Sequence, residues 1–137
     1  MSRKNKQLLR RLFEEGMNRD NAAVIDELVA PGYVNHDFPL PVRGADGFKQ
    51  IVAIFKGGFP DIRVTIEDEF EDGDKVGSRG TFTGTHRGEF MGVPPTDKAV
   101  NIKYLDLWTV KDGKLLETWV QMVMMGLMQQ LGVVPTA

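Results

Sequence analysis

Hydrophobic positions recur along this chain with two different periods, and the change of period divides it. Up to about Pro60 the spacing is helical. Leu8, Leu9, Leu12, Phe13 and Met17 form a stripe between charged residues that closes at Gly16 and the polar run Asn18 to Asn21. Ala23, Val24, Leu28 and Val29 repeat the spacing after Asn21, a good N-cap residue, and Pro31-Gly32 stops this second helix. An irregular piece, YVNHDFPLPVRG, separates it from a third stripe, Phe48, Ile51, Val52 and Phe55, expected to run from near Asp46 to Gly57-Gly58.

From Asp61 onward the period is two. Ile62, Val64, Ile66 and Phe70 alternate with Arg63, Thr65, Glu67 and Glu69, the pattern of a half-exposed strand. The turn EDGD, with Gly73 where φ must be positive, leads into KVGSRGTFTGTH, whose Gly77, Gly80 and Gly84 suggest bulges or bending. The loop RGEFMGVPPTDK precedes a long strand, AVNIKYLDLWTV. KDGK is a second tight turn, LLETWVQMV a closing strand, and Met124 to Leu131 a last helix or tail. Three helices followed by four antiparallel strands is an α+β order. The helices must pack on one face of the sheet, and a bent sheet around them makes a cone with a cavity.

Composition narrows what that cavity serves. The 137 residues are enough for a single domain spanning 1–137. No apolar run approaches the ~20 residues that cross a bilayer, and the basic N-terminus lacks the apolar core of a secretion signal, so a cytoplasmic protein is expected. With zero cysteines there is no thiol nucleophile, disulfide or thiolate metal site. A formal charge of −2 with scattered cations gives no footprint for nucleic acid. The two histidines stand alone, without HxH or HExxH spacing, and no GxGxxG, P-loop or GxSxG motif occurs; no metal and no cofactor are expected.

Alternation sorts the candidate chemistry. On the third strand Ile102, Tyr104, Asp106 and Trp108 share a face; on the closing strand Glu117, Trp119, Gln121 and Val123 do. Tyr104, Trp108 and Trp119 combine apolar bodies with hydrogen-bonding tips, so these two faces are expected to line the interior, with Phe55 and Phe82 among the apolar contacts. Asp106 is either a rim carboxylate, paired with Lys103, Arg79 or Arg43 or accepting backbone donors, or a buried acid/base with a raised pKa. His36 either caps local backbone or handles a substrate oxygen with Asp37 setting its tautomer. His86 belongs either to the cavity mouth or to a turn. The methionines of MVMMGLM read as packing or a dimer contact.

YVNHD, GFKQIVAIFKGGFPDIRVTIEDEFEDGDKV, GTHRGEFMGVPPT, YLDLWTVKDGKLLETW and GLMQQLG occur in this order over nearly the whole chain. Together they resemble the SnoaL-like polyketide cyclase, or ester cyclase, family of the nuclear-transport-factor-two-like superfamily. The resemblance implies a cystatin-like α+β barrel, often dimeric, and a cofactor-independent intramolecular aldol closure of a hydrophobic ligand. It also implies a carboxylate a few residues after the Trp of ETW, at the position of Val123, where this chain has none, and Thr118 replaces the His or Asn that often precedes that Trp. His36, His86, Asp106, Trp119 and Gln121 are the matching positions that remain. If the chain is an enzyme, Asp106 is the expected base, with His36 and Gln121 polarising oxygens; the alternatives are a non-catalytic binding or homodimeric assembly module and a hydrolase or dehydratase using the same residues to position water.

Overall fold

The computed structural model describes residues 2–38 and 40–134. The first apolar stripe winds into α1 (Ser2–Arg11), which continues directly into a π-helical segment, Leu12–Asn18. At its end the Asn18 amide donates to the Val64 carbonyl and accepts from the Val64 N–H, both at 2.8 Å, tying the helical run to the sheet. Asn21 caps α2 (Ala22–Leu28) as its sequence position suggests, its side chain accepting from the N–H groups of Ala23 and Val24. The third stripe forms α3 (Gly44–Gly58), which buries Phe48, Ile51, Val52 and Phe55.

The sheet departs from expectation at its edge. The residues after α2 form β1 (Val29–Asn35), which pairs in parallel with the closing strand through Val29 with Leu115, Val34 with Glu117 and Asn35 with Thr118. Pro31-Gly32 reads as a stop, yet β1 is an edge strand, where a proline with no N–H removes no ladder bond on the unpaired side. The others are β2 (Arg63–Asp72), β3 (Lys75–Thr85), β4 (Ala99–Lys111) and β5 (Lys114–Met122), giving the order β1-β5-β4-β3-β2. A fourth helix, α4 (Met124–Leu131), follows and ends on Gly132 in the left-handed conformation.

The architecture is thus α+β, with four helices and a curled five-stranded sheet. Part of the curl comes from β2, whose register with β3 shifts between Ile66 and Asp68, opposite Gly80. A side chain at Gly80 would run into the Thr65 carbonyl and the Tyr104 ring, so only glycine permits this approach. The inner sheet face packs with α1, the π-helical segment, α2 and α3 into one apolar core. Among the described residues no helix is long and apolar enough to cross a membrane.

Candidate active site

The β4–β5 hairpin decides which side chains enter the cone. Its turn residues Asp112 and Gly113 both have positive φ, and the pairs Lys111 with Lys114 and Val110 with Leu115 follow from a two-residue loop. Continued unchanged, that register would set Trp108 opposite Glu117 and Asp106 opposite Trp119. It is broken at once: Thr109 pairs with Glu117, leaving Leu116 as an extra residue on β5. Beyond this bulge Trp108 faces Thr118, Asp106 faces Val120 and Tyr104 faces Met122. Thr118, Val120 and Met122 therefore share the inner face with Tyr104, Asp106 and Trp108, and Glu117, Trp119 and Gln121 turn outward. The expected facing of β4 holds and that of β5 is reversed.

These residues enclose an apolar chamber of about 90 Å³, partly open to solvent. β4 supplies Tyr104, Asp106 and Trp108, α3 supplies Phe48, Ile51 and Phe55, β3 supplies Phe82, and the π-helical segment supplies Phe13 and Met17. Trp108 is wedged between rings, stacked on Tyr33 at 5.9 Å and edge-on to Phe13 at 6.0 Å. Such packing holds the wall in place around whatever polar group it carries.

That group is Asp106, the only carboxyl among the lining residues. It is buried, and its Oδ1 accepts from Ser78 Oγ at 2.5 Å and from the Ser78 N–H at 3.1 Å. No cation reaches it; Arg79 lies on the exposed side against Glu67 and Asp68, so the rim pairing with arginine is not what the fold builds. Burial pushes the Asp106 pKa up to about 6, against the opposing pull of the Ser78 hydroxyl, the Trp108 indole and the Ser78 N–H. The Trp108 Nε1–H is near enough to the carboxylate to pull its pKa down as a side-chain hydrogen bond does, although the contact falls short of full hydrogen-bond geometry and no other group pairs with this buried N–H. Tyr104 Oη lies 3.3 Å from Ser78 Oγ. Because the serine proton is given to Asp106, tyrosine is the donor in that contact, making a relay from Tyr104 through Ser78 to Asp106.

A second polar pair stands on the opposite side of Trp108. Tyr33 Oη is 3.1 Å from Thr118 Oγ1, and burial raises the Tyr33 pKa to about 12. Tyr33 and Ser78 are not singled out by sequence reasoning, and Thr118 is named there only as a departure from the family pattern, not as a wall residue. Tyr33 and Thr118 follow from the β1 pairing and the bulge, and Ser78 was hidden in a glycine-rich strand read for its bends.

The other expected site residues lie elsewhere. His36 is on the outer side, its Nε2 2.9 Å from Glu117 Oε1 and its ring stacked on Trp119 at 4.5 Å. Asp37 does not set its tautomer; that carboxylate accepts from the Val120 N–H at 2.9 Å. Gln121 is exposed. Val123 lies beyond the strand at the start of α4, exposed, with its N–H on the Lys103 carbonyl. It is not a wall residue, so the position where the family resemblance expects a carboxylate opens outward here. His86 is fully buried away from the chamber, its Nδ1 accepting from the Thr96 N–H at 3.2 Å, which fastens the loop between β3 and β4. Among the described residues no three His, Asp or Glu side chains come together to hold a metal ion.

Fold and site together define a small α+β cone protein with a carboxyl-bearing apolar chamber. The sequence profile of SnoaL-like polyketide cyclases matches residues 7–131, and the chain belongs to that family. Among solved structures it is similar to IdmH from Streptomyces antibioticus, described as a candidate polyketide cyclase, with 30% identity and a TM-score of 0.80 over 93% of this chain and 98% of that one. TsrD from Streptomyces laurentii aligns with 25% identity and a TM-score of 0.88 over 96% of each chain. A candidate SnoaL-like polyketide cyclase from Jannaschia sp. CCS1 aligns with 28% identity and a TM-score of 0.85, covering 98% of this chain and 95% of that one. No curated protein sequence gives a significant match.

Proposed function

We propose that this protein binds a hydrophobic carbonyl compound in the chamber and moves a proton next to the carbonyl, with Asp106 as acid and base, as the first step of an intramolecular aldol closure or isomerisation. The observation that carries this reading is a buried carboxyl on the chamber wall, held by Ser78, with no cation to lock it ionised. A carboxyl with a pKa near neutrality takes and returns a proton at comparable cost. The polyketide-cyclase descriptions of its structural neighbours agree with ring closure as the reaction type. No cofactor is required, because the enolate formed by proton removal needs only hydrogen-bond donors.

The test is deuterium exchange at the α-carbons of a small cyclic ketone in heavy water. Exchange that depends on protein and disappears in Asp106→Asn supports the proposal; equal rates with and without Asp106 reject it. A second reading, a binding protein without turnover, is favoured by the inner face of β5, where Thr118, Val120 and Met122 offer no second carboxylate. Saturable ketone binding without exchange would establish that reading. We further propose a homodimer through the outer sheet face, where Phe70 and Leu105 are exposed. Sedimentation should then show dimers that Leu105→Glu dissociates.

A further inference from the structure

We infer that Trp108 holds the ligand's oxygen through its indole N–H, and that the ligand end entering the chamber is a small, uncharged ketone or aldehyde. This rests on reading the chamber as a ligand site, but not on any chemistry there. Three buried side-chain polar atoms lack a hydrogen-bond partner among the described residues: Glu69 Oε2, His86 Nε2 and Trp108 Nε1. Of the three residues, Trp108 alone lines the chamber. The hydroxyls around it are engaged, Tyr104 with Ser78 and Tyr33 with Thr118. Buried donors are normally satisfied, and one left over on a cavity wall is a place for an acceptor brought by a ligand.

The surroundings select that acceptor. No cation faces the chamber, so an anionic ligand would be buried unpaired beside Asp106. An ammonium would suit Asp106 and still leave the indole N–H without an acceptor, and a hydrocarbon would serve neither. A carbonyl satisfies Trp108, and its adjacent C–H then lies near the Asp106 carboxylate. If that proton moves, the C–H bond breaks, an O–H bond forms on Asp106, and the electron pair passes to the carbonyl oxygen, which the indole N–H stabilises as an enolate. Size restricts the ligand further. The chamber, at about 90 Å³, is smaller than the cavity of about 150 Å³ that takes up a benzene ring. It admits one small ring or the end of a longer molecule.

The test compares cyclopentanone with methylenecyclopentane, which have the same shape and differ in the oxygen. The chain has two tryptophans, and Trp119 on the outer face serves as the internal control. In ¹H–¹⁵N spectra of the intact protein, cyclopentanone should move the Trp108 indole signal downfield in a saturable way and leave that of Trp119 unchanged. The hydrocarbon should bind without this downfield shift. Trp108→Phe should weaken cyclopentanone about tenfold, the size of one lost hydrogen bond, and methylenecyclopentane less than about twofold. The spectra of the unaltered protein decide the matter even if this variant does not fold. A Trp108 signal that moves while α-exchange is absent would retain the oxygen site and reject the proton chemistry. Ketone binding with a stationary Trp108 signal would overturn the inference even if exchange occurs, as would loss of the ketone preference in Tyr33→Phe but not Trp108→Phe. Failure of both probes to bind would overturn it as well.

Discussion

Asp106 on β4 and Glu117 on β5 stand on neighbouring strands and face opposite ways. Asp106 points into the cone, bonded by a serine hydroxyl and one backbone N–H, and burial raises its pKa to about 6. Glu117 points outward onto His36, and that hydrogen bond, assisted by Thr109 and Lys75, holds its carboxyl below the usual range. One group is kept ready to hold a proton near neutral pH and the other is kept ionised. Side-chain type is nearly the same, so the contrast comes from the sheet face each occupies. The chemistry of a carboxyl here is set by which way a strand turns it.

The sharpest way to break the comparison is to neutralise the inner group. Asp106→Asn should lower ketone α-exchange by about 10² to 10⁴-fold, the range of general acid–base catalysis, whereas Glu117→Gln should leave it unchanged; mass spectrometry of the recovered ketone measures both. The exchange rate of the unaltered protein should rise as pH passes through about 6, where Asp106 ionises and becomes a base.

The same substitution should stabilise the fold at high pH. Below about pH 4 the Asp106 carboxyl is protonated whether the chain is folded or not; as pH rises toward about 6 the unfolded chain ionises and the folded one does not, so stability is lost. A shift from 3.8 to about 6 corresponds to about 3 kcal/mol at pH 8. Asp106→Asn should recover much of this at pH 8 and none at pH 3, as read from urea unfolding; an equal effect at both would assign the change to packing.

Ser78→Ala removes the shorter of the two bonds that favour the ionised form, and should move the midpoint of the exchange profile upward by about one pH unit, in keeping with a hydrogen bond to a charged group. An unmoved midpoint would show that Ser78 does not tune Asp106. The smallest effect belongs to the outer pair. Glu117→Gln should cost under about 1 kcal/mol, as partly exposed polar pairs do, and leave cyclopentanone affinity intact.

The legible part of this molecule is the part where the ladder runs without interruption. β3 and β4 pair in constant register from Lys75 with Thr109 to Thr85 with Ala99, so simple alternation places Tyr104, Asp106 and Trp108 on one face, and the structure puts that face on the chamber. The α3 stripe and the Asn21 cap are local features, and they too are legible. What escapes is non-local. The β1 pairing depends on β5, more than eighty residues away in the register of Val34 with Glu117, and Tyr33 enters the wall only through it. His36 and His86 take their places from Glu117, Trp119 and Thr96, partners that no short motif announces. Trp119 and Gln121 face outward because of one residue that the turn sequence KDGK does not reveal.

That residue, Leu116, gives the hairpin a property that point substitution cannot reach. Pairing it regularly with Thr109 would leave every side chain on β5 chemically unchanged and yet exchange one lining for another, presenting Glu117, Trp119 and Gln121 to the chamber in place of Thr118, Val120 and Met122. A one-residue change in register at this position thus rewrites the polarity of an entire wall at once. Relatives that differ there in register, though similar in sequence, would offer their ligands different surroundings.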